Sequence, residues 1–283
     1  MWNQLHDEEN PDPADSSGAF ANRFIKYKSF IYILLVVLVV FGIFISYYEL
    51  NDKQVDFDLD CNDLNERCLI YKYPQFKPNR LRIVDVNPQN NNVLLRSSVP
   101  LFNGVFSEEL LRKHIKKVME DAKLKYSDDM PLHIISFLRN DLKEGCCYTS
   151  QRCYVKDATI INQVILGHQE NPYDVDAKTL ENELKSLNWD TDKLLSRINE
   201  LNEKFQTMQN TIFIVHCRRG RDRTGEYVAA YRMIIKKYDF DTIVKANEEI
   251  GKVKTPYVKM QKWLCLYLEK VMGYTGIGCY DFR

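Results

Sequence analysis

An α/β domain with a central, mostly parallel sheet flanked by helices, preceded by one transmembrane helix, is predicted by three observations. From residue 92 onward, short apolar runs of strand length alternate with amphipathic stretches of helical period. One of these runs, TIFIV at 211–215, is apolar throughout, as a central parallel strand covered on both faces must be. Residues 29–48, SFIYILLVVLVVFGIFISYY, carry no charged side chain over a length of helix that matches a bilayer core. The 283 residues are 45% hydrophobic and 12% aromatic, which excludes a disordered or collagen-like chain and supplies a core of ordinary size. Lys and Arg number 39 and Asp and Glu 39, so the broad basic excess that general nucleic-acid binding needs is missing, and no nucleic acid is expected as partner.

Residues 1–28 are polar, with Asp7, Glu8, Glu9, Asp12 and Asp15 among Pro11, Pro13 and Gly18, and read as a disordered cytosolic tail. Tyr32 near one end of 29–48, and Tyr47 and Tyr48 at the other, suit the two membrane interfaces. Arg23, Lys26 and Lys28 precede the span, whereas Glu49, Asp52, Asp56, Asp58 and Asp60 follow it against Lys53 alone. The positive-inside rule then places everything after Tyr48 on the lumenal or outer side of a single-pass membrane protein. Eight cysteines lean the same way. Cys61 and Cys68 are close in sequence, as are Cys146, Cys147 and Cys153, and Cys265 and Cys279, so the spacing allows three local disulfides with one spare thiol besides Cys217, against the alternative of eight reduced thiols. No N-x-S/T sequon follows Tyr48.

Residues 49–90 form an acidic, then Pro- and Asn-rich extension in which LRIVDV, from Leu81, reads as a short edge strand. The folded domain is expected over 91–273, with 274–283 a tail. Within it VLLRSS (93–98) is a strand. Ser107 is placed to cap a helix whose first turn holds Glu108 and Glu109 and whose apolar face holds Leu110, Leu111, Ile115, Val118, Met119 and Ala122. LHIISFL (132–138) and ATIINQVIL (158–166) are strands. Thr191 is a candidate cap for a long helix carrying Leu194, Leu195, Ile198, Leu201, Phe205 and Met208. Two helices follow Thr224, with Gly251 as the stop between them and the last beginning near Pro256.

The chemistry-bearing stretch is HCRRGRDRTG, residues 216–225, between the apolar strand and the next helix. A loop in that position gathers backbone N–H groups and the positive end of a helix dipole around one point, which suits phosphate. Free thiols titrate near 8.5, and those at helix N-termini beside cations titrate lower, so Cys217 is expected to act as a thiolate nucleophile. Arg223 supplies a planar fork of donors for two phosphoryl oxygens. Gly220 lets the loop turn without a Cβ in the way, the Thr224 hydroxyl is placed to assist departure from sulfur, and His216 is expected to order the loop. Arg218, Arg219 and Arg221 add cations that a single phosphate does not need, and Asp222 is expected to orient the loop or Arg223.

These residues resemble the cysteine-dependent protein tyrosine phosphatase superfamily, whose signature is HCx5R followed by Ser or Thr; His216, Cys217, Gly220, Arg223 and Thr224 all match. Arg219 and Arg221 resemble the basic loop of its atypical dual-specificity members, and LLRSSVP near Leu94 is similar to the segment that opens their domain. The resemblance implies hydrolysis of phosphomonoesters through a phosphocysteine, with no metal or cofactor. It implies a phosphorylated protein, or a phosphoinositide or inositol phosphate, as substrate. It also implies an Asp general acid upstream. LNWDTDKLL offers Asp190 and Asp192 beside Trp189, and NPYDVD offers Asp174 and Asp176 as rivals; helix capping is the competing role for these carboxylates.

Overall fold

The computed structural model describes Cys61 and residues 75–141 and 144–279. The expected tail at 1–28 and membrane span at 29–48 lie outside these residues; among the described residues no helix is long and apolar enough to cross a membrane. The order begins with β1 (Arg82–Asn87), β2 (Asn92–Ser98), a small hairpin of β3 (Leu101–Phe102) and β4 (Val105–Phe106), and α1 (Glu108–Asp121). It continues with β5 (Leu132–Ser136), α2 (Gly145–Tyr154), β6 (Thr159–Asn162), α3 (Ala177–Ser186), α4 (Leu194–Thr207), β7 (Ile212–Cys217), α5 (Asp222–Ile234), α6 (Phe240–Glu248) and α7 (Thr255–Lys270). The main sheet has the order β1-β2-β7-β5-β6, with β1 antiparallel at the edge and the other neighbours parallel.

Alternation along the central strand decides which helices cover which face. Phe213, Val215 and Cys217 of β7 face one cluster, filled by Leu184 of α3, Ile198 of α4, Tyr227 and Tyr231 of α5, Phe240 of α6 and Trp263 of α7. Ile212 and Ile214 face the opposite cluster, with Leu111, Ile115 and Met119 of α1 and Cys147 of α2. The sheet is therefore sandwiched, and its parallel strands end together: Ser98 pairs with Cys217 and Ser136 with His216. The chain passes from β2 to β5, out to β6, and back into the gap as β7. The loop after β7 thus opens between two neighbours at the carboxyl edge of the sheet, where open α/β sheets place their ligands.

Several boundaries differ from the sequence reading. β1, with buried Phe76 and Leu81 before it, belongs to the domain, so the fold begins well ahead of residue 91. Cys279 is fully buried and bonded to Cys265, so the fold also extends past 273. Helix α4 is capped by Asp190, whose carboxylate accepts from the Leu194 and Leu195 amides at 2.7 and 3.2 Å, and not by Thr191. Thr224 already lies within α5, and α6 and α7 follow it with Gly251 between them; the chain breaks after Ile234 and restarts with the Asp239 side chain accepting from the Thr242 amide. Helices α2 and α3 and the hairpin were not read from the sequence.

The Cys265–Cys279 pair is local, as expected, but Cys61 bonds Cys153, 92 residues away. Cys146 is also disulfide-bonded, and the expected pairing of Cys68 lies outside the described residues. Helix α2 therefore carries two bonded cysteines. The free thiols among the described residues are Cys147 and Cys217, both buried.

Candidate active site

Cys217 ends β7 and is 2% exposed; the N-terminus of α5 faces the same loop. Between them Gly220 has φ +65°, and a Cβ there would lie 2.4–2.6 Å from backbone atoms of Ser97 and Ser98. Only glycine fits, on both conformational and steric grounds. The loop carbonyls are drawn outward: Arg80 donates to the Arg219 carbonyl, and Arg96 to the Gly220 carbonyl at 3.2 Å. A trans peptide sets each N–H antiparallel to the carbonyl before it, so the Gly220 and Arg221 amides turn the other way. Among the described residues no protein acceptor takes the amides of Arg218, Arg219, Gly220 or Arg221. The loop thus keeps donors in reserve, as an anion cradle requires.

Arg223, in the first turn of α5, is nearly buried, and Glu144 grips it in bidentate fashion, with Nη1 at 2.7 Å from Oε2 and Nη2 on Oε1. Nη1 also donates to the Phe137 carbonyl. Nε–H and one Nη2–H remain on a single edge of the guanidinium, the edge that matches two phosphoryl oxygens. Burial works to lower the Arg223 pKa, but the bond from Glu144 and the nearby Cys217 sulfur outweigh it and hold the group charged. Burial likewise works to raise Glu144, and Arg223 outweighs it, so the carboxylate stays ionised. Glu144 also accepts from the Arg139 amide at 3.1 Å, which fixes the chain between β5 and α2.

His216 is fully buried, and burial is the first cause holding its pKa down to about 4, so the ring is neutral. Its Nε2 lies 3.0 Å from the Gln151 side-chain amide, whose oxygen accepts from Ser136 Oγ at 3.0 Å. With the amide donating, the His216 proton resides on Nδ1. His216 is thereby tied to α2 and, through Gln151, to β5. Thr224 is fully buried and its hydroxyl has no protein partner among the described residues, which leaves it open to the sulfur or a bound anion.

The remaining loop side chains divide. Arg218 lies in the field of Cys147 on α2, and Arg219 is exposed. Arg221 pairs with Asp222 at 3.2 Å, and Asp222 in turn accepts from the Lys254 amide at 3.0 Å. Asp222 thus links Arg221 to the chain just ahead of α7. Arg96 is buried without a carboxylate; burial, then Arg232, bring its pKa down to about 10, and its other nitrogen donates to Asn247 Oδ1 at 2.9 Å.

The candidate acids are corrected by their hydrogen bonds. Asp190 caps α4, and Asp192, 2% exposed, accepts from the Leu166 amide at 2.9 and 3.0 Å and from the Gly167 amide at 2.7 Å. Both carboxylates hold backbone amides, and Trp189 is fully buried against Tyr267. Of the rivals, Asp176 caps α3 through the Lys178 and Thr179 amides, both at 3.1 Å, and Asp174 accepts from the Asn171 side chain. Glu144, Gln151, Ser136, Arg96 and Asn247 were not singled out from the sequence as site residues. Of these only Arg96 had a signal, its place in the LLRSSVP segment.

No protein-family model matches the chain, and no curated protein matches it. Solved structures do. TpbA of P. aeruginosa in complex with pTyr is 13% identical at a TM-score of 0.35, covering 65% of this chain and 88% of that one. A leucine rich repeat and phosphatase domain containing protein of Entamoeba histolytica is 11% identical at 0.38, covering 68% and 96%. PTPMT1 in complex with PI(5)P is 12% identical at 0.34, covering 67% and 97%. At such identity and TM-score the likeness assigns no activity to this chain.

Proposed function

We propose that the chain hydrolyses phosphomonoesters, of the protein tyrosine or dual-specificity type or of inositol lipids and phosphates, with Cys217 as nucleophile. The observation that carries this reading is the free cysteine at the end of the central strand, set beside a loop of unpartnered amides and a carboxylate-held Arg223. The Cys217 sulfur attacks phosphorus, the bond from phosphorus to the ester oxygen breaks, and the leaving oxygen takes a proton from solvent water. A water then attacks phosphorus and gives one proton back to solvent as the S–P bond breaks, so that inorganic phosphate leaves with the thiolate restored. Arg223 and the loop amides hold the three equatorial oxygens, where charge spreads in both transition states.

The charge asymmetry around 29–48 supports anchorage of the domain on the lumenal or outer side, and the disulfides support an oxidising compartment. Burial of Cys217 then shields the nucleophile from oxidation. Protease protection of the domain in sealed vesicles tests that orientation. A second reading, a phosphate-binding chain with little turnover, is favoured by one observation: both carboxylates expected to donate the proton are tied to backbone. Hydrolysis of a generic aryl phosphate separates the two. Turnover that disappears in Cys217→Ser supports the enzyme, and equal rates in the two proteins refute it.

A further inference from the structure

We propose that Arg80, together with Arg219 and Arg221, forms a second anion subsite beside Cys217, fitted to another phosphate on the same substrate. This rests on the phosphomonoesterase reading and names the class of substrate that the site takes: a ring or head group bearing several phosphates. Arg80 comes from the segment before β1, from a 3-10 turn at Pro78–Arg80. The turn is fastened to the carboxyl end of β2 by the Lys77 amide donating to Ser98 Oγ at 2.9 Å, and it is flanked by the buried side chains of Phe76 and Leu81. One of the five guanidinium N–H groups goes to the Arg219 carbonyl. Burial, then Arg221, lower the Arg80 pKa, with Arg219 adding to them, while Cys217 and Asp222 oppose them, so these groups all share one neighbourhood.

The charge balance there is lopsided. Arg82, two residues on, has Glu249 as a partner at 3.0 Å, and Arg221 has Asp222. Arg80 and Arg219 have no carboxylate partner among the described residues. The stem of Arg221 passes beside Gly251, where φ is +133° and an added Cβ would lie 3.2 Å from the Arg221 Cδ. Arg80 and Arg221 are half-buried and Arg219 is exposed; like charges gathered there raise the energy of the empty site and are relieved when an anion arrives. A single phosphoryl group is already matched by Arg223 and the loop amides, so the three outer guanidiniums are surplus to a phosphotyrosine. They match a second phosphate carried a few ångströms from the first.

The test uses the full chain in nonionic detergent, carrying Cys217→Ser so that ligands are bound without turnover. Titration calorimetry compares inorganic phosphate, inositol 1,4,5-trisphosphate, and phosphatidylinositol 4,5-bisphosphate in the same micelles. The multiply phosphorylated ligands are expected to bind at least about 30-fold more tightly than phosphate. Arg80→Gln is expected to reduce that ratio about tenfold and Arg80→Lys to restore part of it, with circular dichroism confirming the fold. A stronger effect on the soluble ring identifies a free inositol phosphate, and a stronger effect on the micellar ligand identifies a lipid head group. A ratio that stays the same in Arg80→Gln overturns the subsite. Arg80-dependent binding without hydrolysis of any phosphate ester by the wild-type chain overturns the enzymatic reading instead, and leaves the subsite standing.

Discussion

Two of the loops that leave the carboxyl edge of the sheet use their polar groups in opposite ways. The loop after β7 keeps its amides unpartnered, holds its carbonyls outward with Arg80 and Arg96, and needs a glycine at +65° to exist. The segment after β6 is fastened down. Asp192 takes two of its amides, the His168 amide donates to the Pro256 carbonyl at 2.9 Å, and a Cβ on Gly167 would come within 2.7 Å of Pro256. One loop is built to receive an anion, and the other is secured to α7 and to the start of α4. Acidic residues within a hopeful distance of a nucleophile in sequence are therefore poor evidence for catalysis when they precede a helix, where capping competes for them.

The largest expected effect falls on the first loop. Gly220→Ala drives a Cβ into the Ser97–Ser98 backbone, so the cradle must shift, and aryl phosphate hydrolysis is expected to fall about 100-fold or more. A loss below threefold would show that the loop is not the reacting site. Next comes the support of Arg223. Glu144→Gln leaves a buried guanidinium without its counter-ion, a change worth about 3 kcal/mol of stability. The folded-state pKa of Glu144 is depressed, so its contribution is present above the unfolded carboxylate value of about 4.3 and is lost as pH falls through the folded value. Denaturant midpoints across pH 3–7 should show a shallower acid limb in the variant, and parallel curves would contradict the pairing.

The fastened loop offers a smaller and opposite pH effect. Glu226 in α5 is fully buried, and burial first, then Asp192 and Asp190, push its pKa well above the ordinary range; Arg197 works against them and Tyr257 stands nearby. It stays protonated in the fold but ionises near about 4.3 when unfolded, so stability falls as pH rises from there through the folded-state pKa. Glu226→Gln, neutral at every pH, is expected to raise the melting temperature by about 2–4 °C at pH 8 and by little at pH 4. An equal shift at both would refute the protonated state. The smallest change is expected from Asp190→Asn, since Asn caps nearly as well as Asp; activity should stay within about threefold. A 100-fold loss together with disappearance of one limb of the pH–rate profile would restore Asp190 as general acid.

The parts of the site legible in the sequence are those that are local in sequence. Strand β7, the loop and the start of α5 are continuous, so the types and spacing of Cys217, Gly220, Arg223 and Thr224 announce an anion cradle on their own. What holds the cradle is not local. Glu144 lies 79 residues from Arg223, Gln151 lies 65 from His216, and Arg80 lies 139 from Arg219. None carries a pattern that distinguishes it from a surface polar residue until the sheet order brings it near. The same limit explains the disulfides: a 14-residue pairing was visible, and a 92-residue one was not. Helix α2 escaped notice because its buried face is built from Cys146, Cys147, Ser150 and Gln151 rather than from large aliphatic side chains, so its period carries little hydrophobic signal.

The central claim is that one sulfur carries the phosphoryl group between substrate and water. Rapid acid quench of the wild-type chain during aryl phosphate turnover, followed by peptide mass spectrometry, reads this directly. A phosphate adduct on the Cys217 peptide, absent from Cys217→Ser, is the predicted result. Sustained turnover with the adduct on another residue, or in a Cys217→Ser chain, would contradict it.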